Sequence, residues 1–321
     1  MCGIFGAIDL EKKFNKNDFV KFCNLTDLVS YRGPDASAYK SFNTFERAQS
    51  DENFNLFFGH RRLSIIDLSS DGNQPLLSDN CWIIFNGEIF NYIELRDELK
   101  SIGLNFHTNT DTEVIIKVYK KFGHLGFDKL NGMWAFAIYD VEKNLVVLSR
   151  DRFSIKPFFF YQNKNRIYFA SEIKQLTPLL DKKEIEYETM QNFLQQGLLE
   201  IDEKTFFKGI KRIQAKTNYV INLSDKSIIT RKYWEYSDFQ KDLSFKQAEE
   251  KFTELLNDSV KIRLRSDVSL GSLLSGGLDS SAITSIALNY TQEKLNTFSV
   301  ISDDKKVSEE KFIDIFNNHF S

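Results

Sequence analysis

The fold class that the sequence predicts is an α+β layered domain followed by the opening of a parallel α/β sheet. Three observations lead there. Up to about residue 185 the chain is dense in short, apolar, strand-like runs set between turn signals, with two helical patterns among them. From about residue 245 the pattern becomes helix, strand, glycine-rich turn, helix and strand, the order of a β-loop-α-β unit. A length of 321 residues, with 42% hydrophobic and 27% charged side chains, suits about two globular domains.

Taken in order, "LFFGHRRLSIIDL", "CWIIFNGEIFN", "MWAFAIYD", "LVVLSRD" and "RIYFASE" read as strands. "YIELRDELKSIG" places Ile93, Leu95, Leu99 and Ile102 at helical spacing and stops at Gly103, a suitable C-terminal cap. "DTEVIIKVYKKFG" opens on Asp111 or Thr112 as a cap and stops at Gly123. Residues 2–185 are assigned to the first domain and 186–240 to a connecting segment of one helix, "ETMQNFLQQG", and a hairpin-like stretch ending in "RKYWEY". Residues 241–321 form the second domain, whose amphipathic helix "SFKQAEEKFTELLNDSVKIRL" precedes the strands around "SLGSLLSGGLDSSAI" and "LNTFSVI". Two parallel strands leave such a sheet incomplete, so the second domain is expected to be partial.

Composition excludes several function classes. A net charge of -3 gives no footprint for nucleic acid or an anionic membrane surface. Cys2, Cys23 and Cys81 form no zinc spacing and cannot all pair, which points to a reducing compartment. His60, His107, His124 and His319 match no metal spacing, so no metal site is assigned to the protein itself. The N-terminus lacks a secretory n-region and h-region, and no apolar run approaches the ~20 residues of a membrane helix. A cytoplasmic protein is the expectation, and a homodimer stays open.

Two segments carry chemistry. The first is "MCGIFG": loss of Met1 would leave Cys2 with a free α-amine, whose ordinary pKa of roughly 7.7–8.0 suits a base near neutrality. Read alone, a cysteine at position 2 is as readily a packed side chain. Likewise Asn86-Gly87 read alone is a hairpin turn, Arg61 and Arg62 are strand-edge charges, and Asp111 is a helix cap. Cys23 and Cys81 read as packed thiols. The second segment is "SGGLDSS", a glycine turn between a strand and a helix, where backbone N–H groups make an anion site. No Gly-Lys-Ser/Thr follows, so it is not a Walker A loop.

In order along the chain stand "MCGIFG", "YRGPD" (31–35), "GHRRLSIIDL" (59–68), "FNGEIFNY" (85–92), "TNTDTEVI" (108–115) and "GMWAFAIYD" (132–140). This series resembles the glutaminase domain of the class II glutamine amidotransferases. "SRDRFSIKPFFF" and "FASEIKQL" are similar to the glutamine-hydrolysing asparagine synthetase branch, and "SGGLDSS" resembles the pyrophosphate loop of ATP pyrophosphatases. The resemblance covers nearly the whole chain. It implies a four-layer N-terminal-nucleophile hydrolase, with antiparallel sheets sandwiched between helices, followed by an incomplete parallel-sheet ATP-pyrophosphatase module.

The resemblance also implies roles. Cys2 would attack the glutamine carboxamide, with the Asn86 side-chain amide and the Gly87 N–H as oxyanion hole. Arg62 would pair with the α-carboxylate, Asp111 and Glu88 with the α-ammonium, and the backbone of Leu63, Ser64, Ile65 and Ile66 would line the pocket. Ser275, Gly276, Gly277, Asp279 and Ser280 would contact ATP phosphates with Mg²⁺ offsetting their charge, and Leu274 and Val300 would contact adenine or ribose through backbone. Beside this stands a plain reading of Leu274 and Val300 as buried strand residues. The implied partners are L-glutamine, ATP and a carboxylate acceptor, L-aspartate before others.

Three positions depart from the family pattern: Tyr31 where a His often precedes "RGPD", Ser154 in place of a common Gly, and "QAKT" (214–217) for "PPGH". An acidic Ser-Gly-x-Gly-x-Asp-Glu signature of the ATP domain is absent from the sequence. Alternatives therefore stay open: a glutaminase without synthetase activity, transfer to another carboxylate such as a sugar acid of a surface glycan, or a non-catalytic scaffold. The intact Cys2, Asn86, Gly87 and Asp111 set disfavours the scaffold.

Overall fold

The computed structural model describes residues 1–236, 242–291 and 295–320. They fall into two compact units, Met1–Tyr236 and the residues that follow. The expected boundary between 240 and 241 lies outside the described residues.

In the first unit the elements are β1 (Gly3–Asp9), α1 (Lys16–Asp27), β2 (Ala36–Asn43), β3 (Ala48–Gln49), β4 (Leu56–Arg62), β5 (Leu76–Ser78) and β6 (Cys81–Ile89). There follow α2 (Tyr92–Ser101), α3 (Asp111–Phe122), β7 (Gly132–Asp140), β8 (Leu145–Arg150), β9 (Phe159–Asn163) and β10 (Arg166–Ala170). Then come α4 (Ile173–Leu176), α5 (Tyr187–Gln196), β11 (Ile210–Arg212), β12 (Thr217–Asn222) and β13 (Ile228–Lys232). The strands make two sheets, ordered β11-β9-β10-β1-β4-β2-β3 and β13-β12-β8-β7-β6-β5. Every pairing in both is antiparallel.

Period-two alternation decides which layer each side chain enters. Along β1, Ile4 and Ile8 face the second sheet and join Phe58, Ile84, Ala135 and Leu148 in a core between the sheets. Phe5 and Ala7 point the other way, into a core with Phe22 and Leu25 of α1 and Leu176 of α4. The outer face of the second sheet is covered by α2 and α3 through Leu95, Leu99, Val114 and Val118. The result is helix, sheet, sheet, helix. A strand buried on both faces reads as an unbroken apolar run, which is why "MWAFAIYD" shows no polar alternation.

Of the segment expected to connect the domains, β11 extends the first sheet beside β9, and β12 and β13 extend the second beside β8. The Asn86-Gly87 pair forms no turn: it lies inside β6, opposite Ala135 and Trp134 of β7. The cap of α3 is Thr110, whose hydroxyl accepts from the Thr112 N–H at 2.7 Å, rather than Asp111 or Thr112. Asp111 is unavailable as a cap because its carboxylate turns back to accept from the Ile89 N–H at 2.9 Å.

The second unit contains α6 (Phe245–Arg263), β14 (Gly271–Leu273), α7 (Leu278–Leu288), β15 (Asn296–Phe298) and α8 (Glu310–Phe320). Ser244 and Gln247 form a capping box that starts α6. β14 and β15 pair in parallel, as the β-loop-α-β pattern predicts. No helix among the described residues is long and apolar enough to cross a membrane.

Candidate active site

β1 is central in the first sheet, with Gly3 opposite Arg61 of β4, so Cys2 arrives beside the residues that leave β4. Its sulfur lies 3.4 Å from the Leu63 nitrogen, which donates to it, and 3.6 Å from the Leu63 carbonyl oxygen. Arg32 donates from Nε to the Cys2 carbonyl at 2.9 Å and pairs through Nη1 with Glu172 at 3.0 Å. Tyr31 joins this group: its hydroxyl donates to Glu172 and accepts from Lys174 Nζ at 3.0 Å. Tyr31 thus shares Glu172 with the arginine that holds the Cys2 backbone.

The second sheet delivers β6 to the same place. His60 of β4 bridges the sheets, its Nε2 3.0 Å from the Phe85 carbonyl oxygen. The Phe85 N–H donates to Gln74 Oε1 at 2.6 Å, and Gln74 Nε2 donates to Thr112 at 3.2 Å. The next residue, Asn86, is fully buried, and neither atom of its side-chain amide has a partner among the described residues. Burying an amide without a partner is costly, which singles this side chain out. Gly87 follows, and the space for a side chain there is filled: a Cβ would sit 2.1 Å from the Met133 carbonyl oxygen. Glycine is thus required by the approach of β7, besides any approach of substrate.

Cys2, Arg62, Leu63, Ile65, Ile66, Gly87, Glu88 and Asp111 line one pocket, together with Gln74, Thr110 and Thr112. Of the residues expected in the glutamine site, Ser64 and Asn86 are outside this lining. Ser64 donates its N–H to Asp35 at 2.7 Å, and Asn86 lies beneath the surface next to Gly87. Arg62 is no strand-edge charge. It is buried, with Nη1 donating to the Ser69 carbonyl at 2.7 Å and Asn73 Oδ1 at 2.9 Å, and Nη2 to the carbonyls of Ile66 and Asp67. No carboxylate is among these four acceptors.

Electrostatics follow from burial. Loss of water pushes the Cys2 thiol above its ordinary range, opposed by the Leu63 N–H. Burial likewise lowers the α-amine of the chain as it stands with Met1. Glu88 and Asp111 share the pocket, and burial raises both carboxyls, with the Asp111 charge adding to the rise at Glu88. The N–H groups of Ile89 and Thr112 favour ionised Asp111, so the shared proton belongs chiefly on Glu88. Lys156 is buried and its ammonium is lowered by desolvation, which the nearby Glu88 and Cys2 oppose. Lys156, Arg32, Gln74, Thr110 and Asp67 were given no role from sequence although most lie inside the quoted segments. Their parts depend on cross-sheet register, which linear spacing does not carry.

The remaining cysteines behave as packed thiols: burial pushes Cys23 up to about 11 and Cys81 up to about 12. Ser154 has φ +57° and Lys216 has φ +54°, so both sit at left-handed turns. Arg150 donates to the carbonyls of Ser154 at 3.0 Å, Lys156 at 2.8 Å and Ile213 at 2.6 Å.

In the second unit the turn after β14 has Gly276 at φ +77°, a conformation only glycine adopts freely. A Cβ at that position would also meet Phe312 of α8 at 2.6 Å. No side chain caps α7 at Gly277, and the Ser275 and Ser280 hydroxyls lie 3.0 Å apart beside the turn. Leu274 is buried at 1% exposure but follows the last residue of β14, whereas Val300 is 92% exposed and lies beyond the end of β15, so the plain reading of both as buried strand residues keeps only the burial of Leu274.

Comparison with known proteins matches this architecture. The family described as "Glutamine amidotransferase domain" matches residues 1–234, and the one described as "Asparagine synthase" matches residues 251–321. A Methanocaldococcus jannaschii protein that its name places among glutamine-hydrolysing asparagine synthetases is 35% identical, over 100% of this chain and 63% of its own. Asparagine synthetase [glutamine-hydrolyzing] 1 of Bacillus subtilis is 34% identical, over 96% of this chain and 47% of its own. The chain thus spans roughly half to two thirds of the length of these relatives. The solved glutamine phosphoribosylpyrophosphate amidotransferase of B. subtilis shares the fold, with TM-score 0.53 and 14% identity, over 95% of this chain and 67% of that one. The chain belongs to the class II glutamine amidotransferases, with its amidotransferase domain fused to an asparagine synthase domain homologous to that of the glutamine-hydrolysing asparagine synthetases.

Proposed function

We propose that the first unit hydrolyses L-glutamine to glutamate and ammonia, with Cys2 as nucleophile once Met1 is removed. The observation that supports this most is the unpaired, buried Asn86 amide beside Gly87, on the strand that delivers Glu88 into the pocket of Cys2, Arg62 and Asp111. The thiol proton passes to the Cys2 α-amine as the sulfur attacks the carboxamide carbon. The Asn86 amide and the Gly87 N–H donate to the oxygen as it becomes negative, a contribution typically worth about 2.7–4 kcal/mol per donor. The amine returns the proton to nitrogen, ammonia leaves, and a thioester remains. Water attacks the thioester, releasing glutamate and restoring the thiol. Arg62 holds the α-carboxylate, and Asp111 with Glu88 accepts from the α-ammonium.

The second unit directs that ammonia to a carboxylate, with L-aspartate the acceptor favoured by the names of the relatives. The loop suits a phosphate chain: glycine backbone and the uncapped start of α7 offer N–H donors, with the Ser275 and Ser280 hydroxyls beside them. Among the described residues no three His, Cys, Asp or Glu side chains gather as a metal site, so Mg²⁺ would arrive with the phosphates near Asp279. ATP, when bound, supplies the activation of the carboxylate. Three free thiols suit a reducing, cytoplasmic setting. Ammonia release from glutamine tests the first half: Cys2→Ala should abolish it while leaving the circular dichroism spectrum unchanged, and turnover at the wild-type rate would refute the nucleophile.

A further inference from the structure

We infer that Asp67 is the positioning residue that sets the distance between the two grips on the glutamine head group, the Arg62 guanidinium and the Asp111 carboxylate. The inference rests on the reading of the pocket as a glutamine site. Asp67 is buried and has φ +57°, in the left-handed region that aspartate enters more readily than most side chains. That conformation turns its carbonyl oxygen onto Arg62 Nη2. The side chain meanwhile faces two segments. Oδ1 accepts from the Ser69 N–H at 3.2 Å and the Ser69 hydroxyl at 2.6 Å, and Oδ2 accepts from the Asn109 N–H at 3.0 Å.

The two ends of this connection matter. The Ser69 carbonyl is itself an acceptor for Arg62 Nη1 at 2.7 Å, so Asp67 fixes the loop that fixes the guanidinium. Asn109 immediately precedes Thr110, the cap of α3, and Asp111, whose carboxylate lines the pocket. One residue therefore holds the carboxylate-binding end and the ammonium-binding end together, without itself lining the pocket. Its contacts are with the head-group residues, so its effect is on recognition of an α-amino acid rather than on the attack at the carboxamide. Gly72 packs against the same knot: a Cβ there would meet Arg62 Nη2 at 2.1 Å and the Asp67 carbonyl at 3.0 Å.

The test compares wild type, Asp67→Asn and Asp67→Gly in the full chain. Asn keeps the size and the left-handed turn but trades one accepting oxygen for a donor, and Gly keeps the turn and loses the connection. Two amides are assayed: L-glutamine, and 4-carbamoylbutanoate, which lacks the α-ammonium. The expected result is a KM for glutamine raised about tenfold, with kcat changed little, since charge-assisted hydrogen bonds of this kind are worth that much. The preference for glutamine over 4-carbamoylbutanoate should shrink by a similar factor, which a merely structural role would not produce. An unchanged preference, or kcat falling alike for both amides in step with thermal stability, overturns the proposal. So does loss of folded protein in both variants, which would assign Asp67 to folding alone. Failure of wild type itself to release ammonia from glutamine would overturn the pocket reading and this proposal together, and is thereby distinguished from a failure seen only in the variants.

Discussion

Glu88 and Asp111 illustrate how burial sets chemistry one residue at a time. In their shared pocket burial raises both carboxyls, and the backbone N–H groups around Asp111 favour its ionised form over that of Glu88. The sign of the consequence for stability is fixed. A carboxyl raised in the native state holds a proton that the unfolded chain has released, so stability declines as pH rises from the ordinary 4.5 of Glu88 toward neutrality. Glu88→Gln removes the titrating group. Urea denaturation across that range should show wild type losing more stability than the variant, and parallel curves would argue against the assignment. Most residues of this pocket were legible in the sequence because the motifs are long and ordered. The reason for Gly87 was not: the Met133 carbonyl that excludes a side chain comes from β7, 46 residues downstream, brought alongside by strand register.

The elements carry the site because their ends converge. β4 and β6 stop where β1 starts, and α3 begins at the same place. The start of α3 is the element most sensitive to a single change. Thr110 caps it and lines the pocket, while Asp111 has left the capping role for the site. Thr110→Ala should cost about 1 kcal/mol of stability and raise the glutamine KM, as denaturation and steady-state kinetics would report. A variant altered in neither would contradict the placement. Helix ends at Gly103, Gly123 and Gly197 were readable from sequence, and each has positive φ. The capping residue of α3 was missed because Thr110, Asp111 and Thr112 are all good caps, and the choice among them is made by the Ile89 N–H of another element.

Across the whole molecule the two units differ in how much apolar surface they hide. The first unit buries its central strands on both faces, in three apolar clusters. In the second unit Leu273 is 80% exposed and Leu278 86% exposed, and its sheet has two strands. Local stability follows buried contact, so backbone amides of β1, β4, β6 and β7 should exchange with deuterium far more slowly than those of β14, β15 and α7. Equal protection would show that the second unit is held by contacts beyond those described. The period-two core and the parallel β-loop-α-β unit were both evident from residue patterns. That β11, β12 and β13 complete the two sheets of the first unit was not, since short edge strands carry little periodicity of their own.

The central claim is that the thiol of residue 2, beside its own freed amine, is the nucleophile toward glutamine. Its most direct test is peptide mass mapping after reaction with a glutamine analogue bearing a diazoketone in place of the carboxamide. The account predicts one adduct, on Cys2 of a chain lacking Met1, suppressed by excess glutamine. An adduct on Cys23 or Cys81 instead, or an unmodified Cys2 in a protein whose ammonia release has been blocked, would contradict it.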